Sequence, residues 1–156
     1  MAIKYYWEDF TPGWVMETAA RSLSEEDMLR FAREYDPQVF HTDPEAARGT
    51  PFGGLIASGW QTAAVGMRLM CDSYLLEASC VGSPGLEELR WTKPVRPGDS
   101  LRMRSTALEA TPSGKQANRG TVMFLWEILN QNDEIVLTMR GRQMFLRHAP
   151  APPASN

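Results

Sequence analysis

Residues 55–76, with the sequence LIASGWQTAAVGMRLMCDSYLL, form the stretch that decides the fold. Apolar side chains occur here at almost every angular position of an α-helix, and the pattern becomes polar only towards Arg68 and Asp72. A helix that is apolar on all sides belongs inside a protein rather than on its surface. We therefore predict one long buried helix over these residues. The uncharged run at residues 49–67 contains too many glycine and polar residues for a transmembrane span.

The chain after this helix shows the two-residue period of β-strands. Leu101 and Met103 share one face of a predicted strand, while Arg102 and Arg104 share the other. Runs of proline, glycine, asparagine and aspartate separate this strand from its neighbours and indicate turns. Strands are predicted at residues 14–20, 86–91, 100–110, 118–129 and 135–146.

One buried helix followed by antiparallel strands indicates an α+β fold in which the sheet wraps around the helix. Residues 122–126 (VMFLW) are apolar on both faces, which predicts a central strand covered by the helix and by a partner subunit. The length of 156 residues and 43% hydrophobic content predict a single domain over residues 1–148. The segment APAPPASN, residues 149–156, predicts a disordered tail.

The charge and composition exclude several classes of protein. A net charge of −3 leaves no basic footprint, so we predict neither nucleic acid nor a membrane surface as a partner. Cys71 and Cys80 form no C-x-x-C pair, and the first residues lack the pattern of an export signal, which favours a cytoplasmic protein. Since the chain has only two histidines, we predict no metal site.

The segment YDPQVFHTDP, residues 35–44, brings an acid and an imidazole into one loop. Ser24 and the acids after it predict the start of a helix, and Pro37 ends that helix at Asp36. His41 follows five residues later, before a second predicted cap at Asp43. On this spacing alone, a hydrogen bond within a solvated loop is a commoner outcome than a proton-transfer pair.

Three blocks of sequence together resemble one enzyme family. FAREYDPQVFHTDPEAA, FGGLIASGW and LRWTKPVRPGD occur in this order and resemble the MaoC-like dehydratases, the R-specific enoyl-CoA hydratase (hydratase 2) family. The resemblance implies a hot-dog fold, a homodimer or higher even-numbered homo-oligomer, and a role in fatty acid metabolism. It also implies a lyase that adds water to a 2-enoyl thioester, or removes it from a 3-hydroxyacyl thioester. Coenzyme A would enter as part of an acyl-CoA substrate, and no separate cofactor is implied.

The same resemblance assigns the catalytic acid and imidazole of the family to Asp36 and His41. The sequence departs from the family pattern at two places. The family loop D-x-N-P-x-H has Gln38 at its asparagine position, and the family block I-A-H-G-M has Ser58 and Trp60 in place of histidine and methionine. These departures leave the reaction class unchanged and concern the choice of acyl group.

Hydration requires a base for water, an acid for the α-carbon and a donor for the thioester oxygen. A neutral imidazole suits the first task, so we assign water activation to His41, and water positioning and proton delivery to Asp36. The backbone N–H of Gly59, at a helix N-terminus, is the predicted oxyanion donor. The predicted substrate contacts are Gln38, Phe52, Gly53, Gly54, Ser58 and Trp60.

Several of these residues also have a structural interpretation. Ser58 is favoured as a helix cap, Gly53 and Gly54 could allow close packing, and Trp60 could belong to the core. Two other functions compete with hydration: a hot-dog thioesterase and a non-catalytic acyl-thioester-binding protein. The lack of Asp and Glu over residues 55–70 weighs against the thioesterase.

Overall fold

The computed structural model describes residues 1–148, so the predicted disordered tail lies outside the described residues. The described chain carries four α-helices and six β-strands. The helices are α1 (Glu25–Tyr35), α2 (Val39–Thr42), α3 (Pro44–Ala47) and α4 (Gly59–Ser73). The strands are β1 (Val15–Glu17), β2 (Arg21–Ser22), β3 (Cys80–Trp91), β4 (Ser100–Pro112), β5 (Arg119–Leu129) and β6 (Ile135–Leu146).

Capping residues determine where helices α1 and α3 begin. The Ser24 hydroxyl accepts a hydrogen bond from the Asp27 N–H, as an N-cap should, and α1 ends at Tyr35. The Asp43 carboxylate likewise accepts hydrogen bonds from the first N–H groups of α3, which begins at Pro44. Both predicted helix starts are confirmed.

The strands form one antiparallel sheet in the order β1-β4-β5-β6-β3, with the short β2 paired to β4. Three of the predicted strands match closely in position, and the one predicted at residues 14–20 is shorter, at Val15–Glu17. The fifth, predicted at residues 86–91, begins earlier, at Cys80. Positive φ angles at Gly82 and Gly85 accompany shifts of register there, and these bulges hide the alternation in the sequence.

The prediction of one buried helix over residues 55–76 is wrong at its start. Residues 55–58 are not helical, because the N–H of Ile56 donates to the Phe40 carbonyl (3.1 Å) and that of Ala57 to the Val95 carbonyl (2.9 Å). The helix begins only at Gly59. These hydrogen bonds tie the segment before α4 to two other parts of the chain.

The prediction that this helix is buried on all sides is also wrong. α4 packs one face on the sheet, where a Cβ built on Gly66 would lie 2.6 Å from Ile128 Cδ1. The opposite face carries Trp60, which is 61% exposed, and Met67, which is 49% exposed. Within the described chain α4 is therefore amphipathic.

Aromatic side chains form the centre of the core between α4 and the sheet. Phe10 is fully buried and packs against Phe145 and Phe124, with ring centroids 4.4 Å and 5.6 Å away. Tyr74 and Trp126 complete this cluster, and the Trp126 Nε1–H donates to the Tyr74 hydroxyl. No helix in residues 1–148 combines the length and apolarity needed to cross a membrane.

Candidate active site

Two short breaks in the helices bring Asp36 and His41 together. Asp36 leaves α1 with an extended backbone (φ −150°), and the single turn α2 then places His41 one turn further on. His41 is only 5% exposed, and its ring packs edge-on against Phe40 at a centroid distance of 4.5 Å. The imidazole is therefore held in one orientation.

The two side chains face each other at hydrogen-bonding range. His41 Nε2 lies 3.3 Å from Asp36 Oδ2, and His41 Nδ1 lies 2.8 Å from the Ile56 carbonyl oxygen. A carbonyl oxygen only accepts, so Nδ1 carries the proton of the neutral ring. Nε2 then presents its lone pair towards Asp36 and is free to act as a base.

Two further side chains hold the Asp36 carboxyl group. Gln38 Nε2 donates to Oδ1 at 2.8 Å, and the Ser58 hydroxyl donates to Oδ2 at 2.7 Å. Burial opposes ionisation of the carboxyl, but the two hydrogen bonds and the electrostatic influence of the neighbouring imidazole outweigh burial and lower the pKa of Asp36 below its ordinary value. Asp36 is therefore ionised at neutral pH.

The pair opens onto a cavity of about 370 Å³. Its floor is apolar and buried, with Ile56, Ala57 and Val95, while its rim carries exposed aromatic side chains. The remaining lining residues are Asp36, Gln38, Phe40, His41, Phe52, Gly59, Trp60, Thr62, Trp91, Thr92, Lys93 and Pro94. An apolar slot with a few polar groups at one place is the usual form of a small-molecule site.

The N-terminus of α4 meets the same cavity at Gly59. The Gly59 N–H donates to no acceptor within residues 1–148, and Ser58 provides no side-chain cap. A Cβ built on Gly59 would lie 2.4 Å from Nε1 and Cε2 of Trp91, so only glycine fits beneath this indole. The free N–H and the helix dipole make this position favourable for an oxyanion.

The predicted site residues divide into two groups. The structure brings Asp36, Gln38, His41, Phe52, Gly59 and Trp60 to one cavity. Gly53, Gly54 and Ser58 do not line the cavity. Arg96 donates to the carbonyls of Phe52 and Gly54, which holds that loop in place from the other side. Ser58 does occupy the N-cap position of α4, but its hydroxyl donates to Asp36 and makes no capping hydrogen bond to the helix.

Trp91 is the main functional candidate that sequence reasoning missed. It is 47% exposed, stands at the end of β3, and forms an edge-to-face pair with Trp60 at 5.2 Å. The block LRWTKPVRPGD contained the residue, but nothing in the sequence places position 91 against position 59. The contact arises because the end of β3 passes over the start of α4.

Charged groups around the cavity are already paired. Lys93 forms a salt bridge with Glu134 and Arg90 with Glu88. Across residues 1–148, no three His, Cys, Asp or Glu side chains are grouped so that they could hold a metal ion. The chemistry available at the site is therefore that of Asp36, His41 and the backbone donor at Gly59.

An antiparallel sheet wrapped around one helix, with an acid–imidazole pair at the start of that helix, defines a hot-dog-fold protein. The MaoC like domain model matches residues 9–123, and the chain belongs to this family. Its relatives include hydratases and dehydratases of acyl thioesters, which confirms the family resemblance of the three sequence blocks.

Three known proteins illustrate the relationship. The crystal structure of the MaoC-like dehydratase from Rhodospirillum rubrum is 38% identical, with a TM-score of 0.87, over 94% of this chain and 99% of that one. The 3-hydroxyacyl-thioester dehydratase Z of Mycobacterium tuberculosis (strain H37Rv) is 30% identical over 69% of this chain and 72% of the relative. A double-hotdog protein from Mycobacterium tuberculosis is 17% identical, with a TM-score of 0.71. The match covers 96% of this chain and 46% of that protein, and it supports the fold alone.

Proposed function

We propose that the protein adds water to the double bond of a 2-enoyl thioester, or removes water from a 3-hydroxyacyl thioester. The observation that carries this proposal is that His41 Nε2 and Asp36 Oδ2 lie 3.3 Å apart at the wall of an apolar cavity. The N-terminus of α4, where the Gly59 N–H has no acceptor within residues 1–148, meets the same cavity. The family relationship supports the thioester class of substrate. Coenzyme A is proposed as the carrier portion of the substrate.

The first step is attack by water on the β-carbon. A water oxygen placed to one side of the line between Nε2 and Oδ2 can lie within about 3 Å of both atoms. Its two hydrogens then point to the imidazole lone pair and to the carboxylate. Removal of one proton leaves the oxygen to bond to the β-carbon, while the electron pair of the double bond moves towards the thioester oxygen.

The second step returns a proton to the α-carbon. The enolate oxygen that forms after water addition accepts a hydrogen bond from the Gly59 N–H, whose position at the start of α4 favours negative charge. Asp36 is ionised before the reaction, so it first receives the proton that His41 took from water, across the 3.3 Å between Nε2 and Oδ2, and then delivers this proton to the α-carbon. The proton taken from water balances the proton given to carbon.

The Trp60–Trp91 pair supports a small acyl group. The floor of the cavity consists of packed core residues, and the two indoles stand across its rim. We predict that the wild type hydrates crotonyl and branched short-chain enoyl-CoA with higher kcat/KM than straight eight- to ten-carbon substrates. In Trp60→Ala, kcat/KM for the longer chains will rise about tenfold relative to kcat/KM for the short chains. This is the scale of a few methylene contacts in an apolar pocket.

The matched control for this measurement is Trp7→Ala, because Trp7 packs on Gly120 of the sheet and does not line the cavity. The kcat/KM values over the chain-length series are compared for the three proteins. An unchanged ratio in Trp60→Ala, together with an active enzyme, would show that Trp60 does not limit the acyl group.

We also propose a homodimer joined through β3. This strand pairs only with β6 among the described strands, so its other edge is unpaired, and it exposes Val81, Leu86 and Trp91.

We predict that sedimentation velocity will give the mass of a dimer, and that Val81→Lys will weaken the dimer. Leu76→Lys, at a more exposed apolar position outside the strand, is the control. A wild type that stays monomeric at micromolar concentration would contradict this proposal.

The function itself is tested with purified protein and crotonyl-CoA. Hydration removes the conjugated double bond, so the ultraviolet absorbance of the enoyl thioester falls while no free thiol appears. Release of thiol without hydration would instead favour a thioesterase, and binding without turnover would favour a non-catalytic role. The cytoplasmic location and the lack of a separate cofactor stay predictions from the sequence.

A further inference from the structure

Ser58 is a buried polar residue whose position the proposed reaction does not yet use. Its side chain is fully buried at the last position before α4, and its hydroxyl donates to Asp36 Oδ2 at 2.7 Å. A hydroxyl has a single hydrogen to donate. Because that hydrogen is given to Asp36, Ser58 has no hydrogen left to donate to a substrate.

The hydrogen bond joins two parts of the site that are distant in sequence. Asp36 ends α1, and Ser58 precedes the Gly59 N–H by one residue. The contact therefore fixes the carboxyl group relative to the proposed oxyanion donor. It acts on Oδ2, the same oxygen that faces His41 Nε2 at 3.3 Å.

The second donor to the carboxyl group differs in exposure. Gln38 binds Oδ1 at 2.8 Å, but its side chain is exposed to solvent. Water can replace an exposed amide when it is removed, whereas nothing reaches the buried position of the Ser58 hydroxyl. A lost hydrogen bond to a buried charge has the larger cost.

We propose that Ser58 is a positioning residue that aims Oδ2 of Asp36 at the shared water and keeps the carboxyl group charged while His41 is neutral. This inference rests on the proposed hydration reaction. Among titratable groups, His41 of α2 faces Asp36 directly, and Lys93 lines the same cavity from beyond β3 in a salt bridge with Glu134. On α1, the neighbouring Glu34 and Tyr35 are exposed and interact with each other.

The direction of the effect on pH dependence follows from the hydrogen bond. Donation from Ser58 stabilises the charged carboxylate and lowers the pKa of Asp36. Removing the donor therefore raises that pKa, so a larger fraction of Asp36 is protonated at any mildly acidic pH. The titration of the Asp36 carboxyl, followed by carbon NMR, therefore moves to higher pH.

The experiment compares Ser58→Ala with Gln38→Ala, Ser58→Thr and the control Ser73→Ala. Ser73 lies on α4 away from the cavity, and its hydroxyl binds the Met70 carbonyl. We expect Ser58→Ala to lower kcat/KM about tenfold or more, the cost of one hydrogen bond to a charged group, and to raise the pKa of the Asp36 carboxyl. Gln38→Ala will have a smaller effect, Ser58→Thr will restore the wild-type pKa of Asp36, and Ser73→Ala will match the wild type.

A double variant separates positioning from a general structural role. In an Asp36→Asn background, Ser58→Ala will cause no further loss of kcat/KM if Ser58 acts through Asp36. A full additional loss, or an unchanged pKa of the Asp36 carboxyl in Ser58→Ala, would overturn the proposal. Carbon NMR titration of the Asp36 carboxyl in the wild type and Ser58→Ala gives the same pKa comparison without turnover. An inactive wild type with a raised pKa in Ser58→Ala would therefore count against hydration but not against the role of Ser58.

Discussion

His41→Ala and Asp36→Asn will each lower kcat for enoyl-CoA hydration about 10²–10⁴-fold, the usual contribution of a general acid–base group. His41→Ala removes the lone pair that faces the cavity, and Asp36→Asn replaces the carboxylate with an amide that cannot exchange a proton. The double variant will be little worse than either single variant, because the two groups act on one water as a unit.

The control for this prediction is His148→Ala. His148 is the only other histidine, and it stacks on Tyr6 at a centroid distance of 4.1 Å, outside the cavity. Initial rates with crotonyl-CoA are measured for all variants, and circular dichroism checks that each is folded. A folded His41→Ala protein with wild-type kcat would show that the imidazole takes no part in the reaction.

Gly59→Ala will lower kcat about 10²-fold, the scale of effect expected when a catalytic donor is misplaced by about 1 Å. The added Cβ would meet Nε1 and Cε2 of Trp91 at 2.4 Å, so either the indole or the first turn of α4 must move. Both changes disturb the position of the N–H that is proposed to bind the enolate oxygen.

A second substitution distinguishes a steric cause from other effects of Gly59→Ala. Trp91→Ala removes the indole atoms that the new Cβ would meet, so Gly59→Ala combined with Trp91→Ala will regain much of the activity of Trp91→Ala. Gly114→Ala is the matched control, since nothing lies within 4 Å of a Cβ at that position. If the double variant is as slow as Gly59→Ala, the contact with Trp91 is not the cause.

The features that the sequence predicted best are set by neighbouring residues. The cap at Ser24, the end of α1 before Pro37 and the start of α3 at Pro44 each depend on hydrogen bonds or steric limits within a few residues. The Asp36–His41 pair was also predicted, although its spacing alone did not distinguish a catalytic pair from a loop hydrogen bond. The family motifs favour the catalytic pair, and its role in catalysis stays a prediction.

The features that the sequence did not predict depend on contacts between distant parts of the chain. Ser58 binds Asp36, 22 positions earlier, and Ile56 and Ala57 bond to the carbonyls of Phe40 and Val95. Because of these partners, residues 55–58 lie outside the helix that the sequence predicted. The Ser58 hydroxyl holds the Asp36 carboxylate instead of capping α4. Hydrophobic periodicity reports which residues are apolar but not which distant backbone group accepts a hydrogen bond.

The most direct test of the proposed hydration is mass spectrometry of crotonyl-CoA incubated with the wild type and with His41→Ala. The wild type is predicted to convert the thioester to a product heavier by one water, with the thioester bond intact, and His41→Ala to leave nearly all of it unchanged over the same time. Free coenzyme A as the product, or no product at all from folded wild type across the enoyl-CoA series, would contradict the proposed hydration.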